Sequence, residues 1–203
     1  VFESASNCLG FDDYHAIDLF YKAYLDDNST DAIRADSLMN IGLAISQYPD
    51  DIERILNVLS DIFSARTDGT LTDQKLLMIL RGMMNNLSNS TEALSQFLNT
   101  IESEISKDDN PLLFAEIKLW KYDLMLKEGE IEQVENLLKD IEPIIDISTN
   151  VNNLMKSLYI RLLTLKIDIA DFRHDEAEMI NFYEKSKLIS QYTLLPYQDG
   201  VFS

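Results

Sequence analysis

Residues 110–141 have the sequence NPLLFAEIKLWKYDLMLKEGEIEQVENLLKDI, which predicts two helices joined by a tight turn. Asn110 can cap the first helix, and Pro111 suits its first position because the missing N–H needs no partner there. Gly129 can adopt the left-handed conformation that ends a helix. Apolar side chains recur at helical spacing on both sides of that glycine: Leu113, Ile117, Trp120, Leu124 and Met125 before it, and Ile131, Val134, Leu137, Leu138 and Ile141 after it.

The same pattern extends in both directions along the chain. Upstream, helices are predicted at about 12–26, 31–47 and 72–87, with short polar breaks between them. A further helix is predicted to begin at the capping-box spacing of Asp50 and Glu53 and to carry apolar residues to Phe63. Others are predicted after a cap at Asn89, at about 150–170 and at about 175–192.

These periodicities predict an all-α protein with about nine helices and no sheet. Helix starts are about 18–22 residues apart and the connections are short, so consecutive helices should be antiparallel neighbours. Helix pairs that repeat every 38–42 residues or so are typical of an α-solenoid of tetratricopeptide-like hairpins. A compact up-and-down bundle is the alternative. We expect residues 1–193 to form the helical-repeat domain, and 194–203 to be a linker or the start of a following module.

Composition excludes several classes of protein. The 203 residues contain 17 Lys and Arg against 35 Asp and Glu, a net charge of −18. Such acidity argues against nucleic acid and anionic membrane surfaces, which require clustered cations. No apolar run is long enough to span a bilayer. Cys8 is the only cysteine, so an intrachain disulfide is impossible. We expect the protein to be cytoplasmic and nuclear.

No catalytic, cofactor-binding or metal-binding residue can be assigned from the sequence, and no small-molecule substrate is predicted. His174 and Glu178 have the i, i+4 spacing of a helical metal pair, but two ligands do not make a zinc site. His15 follows Asp12 and Asp13 on a similarly charged edge. The acidic run that starts at Asp26 lacks the glycine and the terminal glutamate of a calcium loop, so we interpret it as a capped turn.

The methionines Met78, Met83 and Met84 could form an adaptable partner-binding groove, although such residues more often lie in a core. Trp120 continues an apolar stripe and is predicted to be structural. The sequence therefore predicts a non-catalytic helical scaffold that binds other proteins, with its acidity steering it toward basic surfaces. A freestanding adaptor that captures one peptide is the rival. A helical enzyme would need His15 or His174 to act.

The segments 90–98, 112–117 and 124–142, followed by Ser157-Leu158-Tyr159 and Asn181-Phe182-Tyr183, resemble the helical repeats of the PCI family. Members of this family are scaffold subunits of the proteasome lid, the signalosome and translation initiation factor three. The closest resemblance is to a lid subunit of the proteasome regulatory particle. The region around 76–101, with Gln133-Val134 and 190–193, also looks like a subunit of the initiation factor.

The resemblance implies a scaffold without enzymatic activity or cofactor, whose partners are other protein subunits of a large complex. It also implies that a winged-helix module follows the repeats. In that case the repeats present in this chain would position neighbouring subunits, and no residue would correspond to a catalytic site.

Overall fold

The computed structural model describes the backbone of residues 1–145 and 153–199, and the side chains of 1–145 and 155–190. Its described residues form ten helices and no strand, which confirms the all-α class. The helices are α1 Phe2–Cys8, α2 Asp13–Leu25, α3 Asp31–Ile45, α4 Ile52–Thr67, α5 Asp73–Leu87, α6 Thr91–Glu104, α7 Pro111–Lys127, α8 Ile131–Ile141, α9 Asn153–Phe172 and α10 Glu176–Asp199.

Most predicted helix ends agree with the structure to within a few residues. Pro111 begins α7, and the Asn110 side chain accepts a hydrogen bond from the Leu113 N–H at 3.0 Å. Gly129 has φ +87° and follows the end of α7, as predicted. Its N–H donates to the Leu126 carbonyl and the next N–H donates to Met125, which is the Schellman pattern.

Three sequence-based expectations differ from the structure. The seven-residue helix α1 was not predicted, because it is too short to show a periodic pattern. The capping box at Asp50 and Glu53 is not formed, since α4 starts at Ile52 after Asp51. The cap of α6 is the Ser90 hydroxyl rather than Asn89. In both misplaced caps two neighbouring residues are chemically able to cap, and spacing alone does not choose between them.

The last helix is also longer than predicted. The backbone of α10 continues to Asp199, so residues 194–199, which we expected in a linker, are helical, and 200–203 lie outside the described residues. A proline such as Pro196 removes one backbone hydrogen bond and often kinks a helix, but it does not always end it. That a further module follows stays a prediction.

The chain divides into two compact units, residues 1–104 and 105–203. In the first unit, helices two apart in sequence run parallel and are joined by side-chain bonds at about 40 residues' separation. The Tyr21 hydroxyl donates to Asp61, 40 residues away, and the Lys75 ammonium bonds Asp36 at 2.8 Å, 39 residues away. The Asn86 amide donates to the Leu43 carbonyl, 43 residues away. This regular offset is the repeat period that the sequence predicted.

Consecutive helices in unit 1 also pack against each other, as antiparallel hairpins. Tyr48, just after the end of α3, donates to Asp13 at the start of α2 at 3.0 Å. Because each hairpin buries one apolar face against the next, the core of unit 1 is continuous across α2 to α6. Its largest fully buried side chains are Ile17, Phe20, Leu38, Ile41, Ile45, Ile55, Leu59, Ile62, Leu76, Ile79, Leu80 and Phe97.

Two helical glycines mark the close approach of α3 and α5, which are in contact along the hairpin stack. A Cβ built on Gly42 would lie 3.1 Å from the Met83 sulfur, 3.3 Å from Ile79 and 3.4 Å from Ile62, all fully buried. A Cβ on Gly82 would lie 2.2 Å from the tip of Leu43. Leu43 is only partly buried, so it can turn away, whereas the three neighbours of Gly42 cannot move independently.

The second unit repeats with a longer period. Glu116 on α7 faces Arg161 on α9, and Asp123 faces Asp168, so both pairs are 45 positions apart and the two helices run parallel. The turn residue Gly129 likewise corresponds to His174, which has φ +57°. The hydrophobic core of this unit consists of residues from α7, α8 and α9 together with Ile145: Ala115, Leu119, Tyr122, Met125, Leu126, Val134, Leu138, Ile141, Ile145, Met155, Leu158, Leu162, Leu165 and Ile169.

The Gly42 contact generates a stability prediction. Gly42→Ala should lower the free energy of unfolding by about 1 kcal/mol, because overpacking outweighs the gain in helix propensity. Gly82→Ala is the matched control, since it has the same propensity gain but a neighbour that can move, and it should not lower stability. Urea unfolding of both variants measures the difference. Equal effects of the two substitutions would contradict the proposed close approach at Gly42.

Candidate functional site

The two histidines considered for chemistry in the sequence lie in different units. His15 lies in the first turn of α2 in unit 1, and His174 lies in the turn between α9 and α10 in unit 2. His174 therefore does not share a helix face with Glu178. Among the described residues, no group of three or more His, Cys, Asp or Glu side chains could hold a metal ion. Cys8 is a free, partly buried thiol at the end of α1.

The acidic run after α2 forms a capped turn, as interpreted from the sequence. The Asp26 carboxylate accepts hydrogen bonds from the backbone N–H of Asn28 at 2.9 Å and from its side-chain amide at 3.1 Å. These bonds hold the pKa of Asp26 below its usual value. Thr30 then caps α3 by accepting from the Ile33 N–H. The carboxylate thus stabilises the connection between two helices.

The methionines are divided between the core and the surface. Met83 and Met84 are fully buried in unit 1, which confirms the core interpretation for these two. Met78 is 57 % exposed, so for this residue the core interpretation is wrong. The difference follows from the helix geometry, because the apolar residues of α5 that pack inward leave position 78 on the outer side. The three methionines therefore do not form one groove.

A buried carboxylate lies where α7 packs against α9. The Trp120 indole N–H donates to Glu116 at 3.2 Å, and the Arg161 guanidinium lies 3.7 Å from the same oxygen. Arg161 also stacks on the Trp120 ring, with its central carbon 3.7 Å from the ring centroid. A buried carboxylate requires such partners because its desolvation is otherwise unfavourable. This cluster of Glu116, Trp120 and Arg161 joins two hairpins, and Trp120 is structural in this sense.

The same helix pair also carries an unfavourable contact. Burial and the nearby carboxylates of Asp123 and Asp171 raise the pKa of Asp168, against the opposing effect of Lys127. Asp123 is itself paired with Lys127 at 3.1 Å on α7. Ion pairing within α7 therefore offsets only part of the repulsion between the two helices.

The seam between α4 and α6 in unit 1 forms a groove with a cavity at each end, which we call groove 1. One cavity, of about 390 Å³, lies toward the C-terminal ends of both helices. It is lined by Leu56, Leu59, Ser60, Phe63, Ser64, Thr67, Thr100 and Glu104. The other, of about 200 Å³, lies at their N-terminal ends and is lined by Pro49, Asp50, Ile52, Ser90, Glu92, Ala93 and Gln96.

Groove 1 has an apolar floor and a polar rim. Leu59 and Phe63 are buried, and Leu56 is partly buried beside them. The hydroxyls of Thr67 and Thr100 donate to carbonyls one turn earlier in their own helices, at 3.0 Å each. No lysine or arginine lines either cavity, and unit 1 is described in full. The groove is therefore suited to an apolar side chain on its floor and to hydrogen-bond donors at its rim.

Unit 2 contains a second groove between α8 and α10, with α9 as its floor, which we call groove 2. Two cavities of about 200 and 470 Å³ share Glu142, Lys166 and Phe182 and form one cleft. The other lining residues are Glu135, Leu138, Lys139, Pro143, Ile145, Tyr159, Leu162, Leu163, Ile169, Glu178 and Lys185.

Two of the acidic residues that line groove 2, Glu142 and Glu135, are paired with cations. Lys166 pairs with Glu142 at 2.8 Å, and Arg173 forms a bidentate pair with Glu135. The ammonium groups of Lys166 and Lys185 each lie 5.5 Å from the centroid of the Phe182 ring. The contact of Lys166 with the Phe182 ring holds α10 against α9. Because groove 2 contains both cations and anions, it should be less selective for the charge of a ligand than groove 1.

The sequence patterns of the individual helices did not predict grooves 1 and 2. A signal for groove 1 is present, since Ser60, Ser64 and Thr67 place hydroxyls on one stripe of α4 beside the apolar face. What the sequence does not show is which helix lies across that stripe. That partner is α6, two helices further on.

The Asp168 contact generates a pH-dependent prediction. An acid whose pKa is raised by folding makes the folded state less stable once it ionises, so stability is lost as pH rises from 3.8 through the raised value. Asp168→Asn should therefore raise the urea midpoint at pH 7, and the gain should shrink as pH falls toward about 4. Asp140→Asn on the exposed face of α8 is the control. A gain independent of pH would contradict this account.

The Glu116 cluster generates a second prediction. Arg161→Met removes a cation that faces the buried carboxylate and should lower the free energy of unfolding by about 2 kcal/mol, somewhat less than for a fully buried pair. In the double variant with Glu116→Gln, the loss should be smaller than the sum of the single losses by about 1 kcal/mol. Urea unfolding of the four proteins in this cycle measures the coupling. Additive losses would show that the pair does not stabilise the α7–α9 contact.

Comparisons with known proteins assign no family to this chain. No protein-family model matches it, and neither a curated protein nor a solved structure matches it. Separately, no helix in the described part of the chain combines the length and apolarity needed to cross a membrane.

Proposed function

We propose that this protein is a non-catalytic helical-repeat scaffold that assembles other proteins. The observation that carries the proposal is the in-register stacking of hairpins, seen in the contacts Tyr21–Asp61 and Asn86–Leu43, which join residues 40 and 43 positions apart. Stacked hairpins expose extended surfaces along helices on the same side, and helical repeats bind partners on such surfaces. Grooves 1 and 2 are two of these surfaces.

The grooves suit protein segments. Each contains two cavities, lined by apolar side chains and by polar groups: those of groove 2 share three residues, and those of groove 1 lie at opposite ends of α4 and α6. A peptide or a partner helix can place successive side chains in such a series of cavities. The net charge of −18 favours partners with basic surfaces and disfavours nucleic acid.

The more specific proposal is a scaffold subunit of the proteasome regulatory-particle lid, nearest to its non-ATPase subunit nine. It is supported by the resemblance of the segments 90–98, 112–117, 124–142, 157–159 and 181–183 to the helical repeats of PCI proteins. The same resemblance supports, as alternatives, subunit m of translation initiation factor three or a signalosome subunit. The corresponding proposal for the location of this protein is the cytoplasm and the nucleus.

Affinity purification of the tagged natural protein, followed by quantitative mass spectrometry, tests the proposal. Stoichiometric recovery of proteasome lid subunits is the expected result. Recovery of initiation-factor or signalosome subunits would keep the scaffold function and replace the lid by its sister complex.

One outcome would overturn the scaffold proposal. If a single unrelated protein is recovered, and if the purified chain binds a peptide of that protein with micromolar affinity or better, the chain is a freestanding adaptor. A scaffold subunit should instead bind poorly alone and require its neighbours, because its binding energy is spread over several weak contacts.

A further inference from the structure

We propose that groove 1 binds an amphipathic helix whose polar face bears lysine or arginine. This inference rests on the proposed scaffold function, and it names the chemical class of partner that one surface of the scaffold would take. It depends on three features of groove 1: its apolar floor, its acidic ends without a lining lysine or arginine, and the length of the helices that form it.

The floor provides the hydrophobic part of the interaction. Leu56, Leu59 and Phe63 follow one another at three- and four-residue spacing along α4 and line the larger cavity, of about 390 Å³. That volume accepts one or two large apolar side chains, such as leucine. Burial of a leucine side chain contributes roughly 1.5–3 kcal/mol, so the floor supplies affinity but little discrimination between partners.

Charge supplies the discrimination. Unit 1 contains six Lys and Arg against 17 Asp and Glu, a net charge of −11. Three of its cations are in ion pairs away from groove 1: Arg54 with Asp18, Arg66 with Asp73 and Lys75 with Asp36. Acidic residues lie at both ends of the groove, Asp50 and Glu92 at one end and Glu104 at the other. No cation lines either cavity, so a ligand must bring its own positive charge.

The helix dipoles favour a cation at the Glu104 end. Both α4 and α6 end there, at Thr67 and Glu104, and helix C-termini carry partial negative charge. At the opposite end the partial positive charge of two helix N-termini offsets part of the charge of Asp50 and Glu92. Glu104 is therefore the acidic residue of the groove whose removal should matter most.

The length of the groove fits a short helix. The 16 residues of α4 extend over about 24 Å at the helical rise of 1.5 Å per residue. A partner helix of about 16 residues has the same length and could place cations near both acidic ends while its apolar face lies on the floor. Groove 2 differs in charge, because Lys139, Lys166 and Lys185 line it and two of its acids, Glu142 and Glu135, are paired with Lys166 and with the neighbouring Arg173.

Binding of two designed peptides tests the proposal. The probes are fluorescein-labelled 16-residue amphipathic helices, one built of Leu and Lys and the other of Leu and Glu at the same positions. Fluorescence anisotropy with the purified full chain should show binding of the Leu–Lys peptide, weakened by added salt. Comparable affinity for the Leu–Glu peptide would overturn the proposal.

A matched pair of charge reversals separates groove binding from general attraction to an acidic protein. Glu104→Lys and Glu128→Lys change the net charge equally, and both residues are exposed at the C-terminal end of a helix, α6 and α7 respectively. Glu104→Lys should weaken binding of the Leu–Lys peptide about 3- to 10-fold more than Glu128→Lys. Equal weakening by the two variants would overturn the proposal.

A second pair tests the shape of the groove independently of charge. Ser64→Trp fills the larger cavity from its exposed rim, whereas Asn85→Trp places the same side chain on the exposed side of α5. Binding should fall about 10-fold for Ser64→Trp and remain unchanged for Asn85→Trp. Circular dichroism melts of all four variants show whether each is folded. Full binding by a folded Ser64→Trp variant would overturn the proposal.

The same variants distinguish failure of this inference from failure of the scaffold function. If the tagged natural protein carrying Glu104→Lys recovers its complex undiminished, groove 1 is not a partner site, but the scaffold function stands. If the unaltered protein recovers no complex, while the Leu–Lys peptide still discriminates Glu104→Lys from Glu128→Lys, the scaffold function fails and groove 1 remains a peptide site.

Discussion

Parallel packing of helices two apart in the chain is the constraint on which each unit depends. A single amphipathic hairpin cannot bury both of its apolar faces, so each hairpin must be covered by the next one. In unit 1 one close contact is made where Gly42 of α3 meets the fully buried Met83, Ile79 and Ile62. In unit 2 the contact between α7 and α9 includes the polar cluster of Glu116, Trp120 and Arg161.

Polar contacts set the register of this packing and hydrophobic contacts supply its stability. Residues such as Tyr21, Lys75 and Asn86 bond partners about 40 positions away, each at one discrete place along the facing helix. Partly exposed polar bonds contribute modest free energy, but a slip of one helical turn would break them all. The two grooves follow from this arrangement, because each lies along helices that are two apart in the chain.

Much of the fold was predictable because the signals are local. Helix starts at Asn110–Pro111 and the stop at Gly129 depend on backbone hydrogen bonds within a few residues, and the structure confirms them. Other local signals failed where neighbouring residues compete, as at Asp50 and Asp51. The prediction that Met78 lies in the core was wrong for another reason. Met78 lies within an apolar stretch of α5, and only the position of the neighbouring helices leaves it exposed.

The sequence by itself determined the all-α class, most helix boundaries, the repeat period near 40 residues and the surplus of negative charge. Each of these depends on chain composition or on contacts within one or two turns. Only the tertiary structure decided which acids are neutralised and which line an open groove, because ion pairs such as Lys75–Asp36 join residues of different hairpins. The pairing of α4 with α6 likewise depends on hydrophobic burial across the stack, which no single helix encodes.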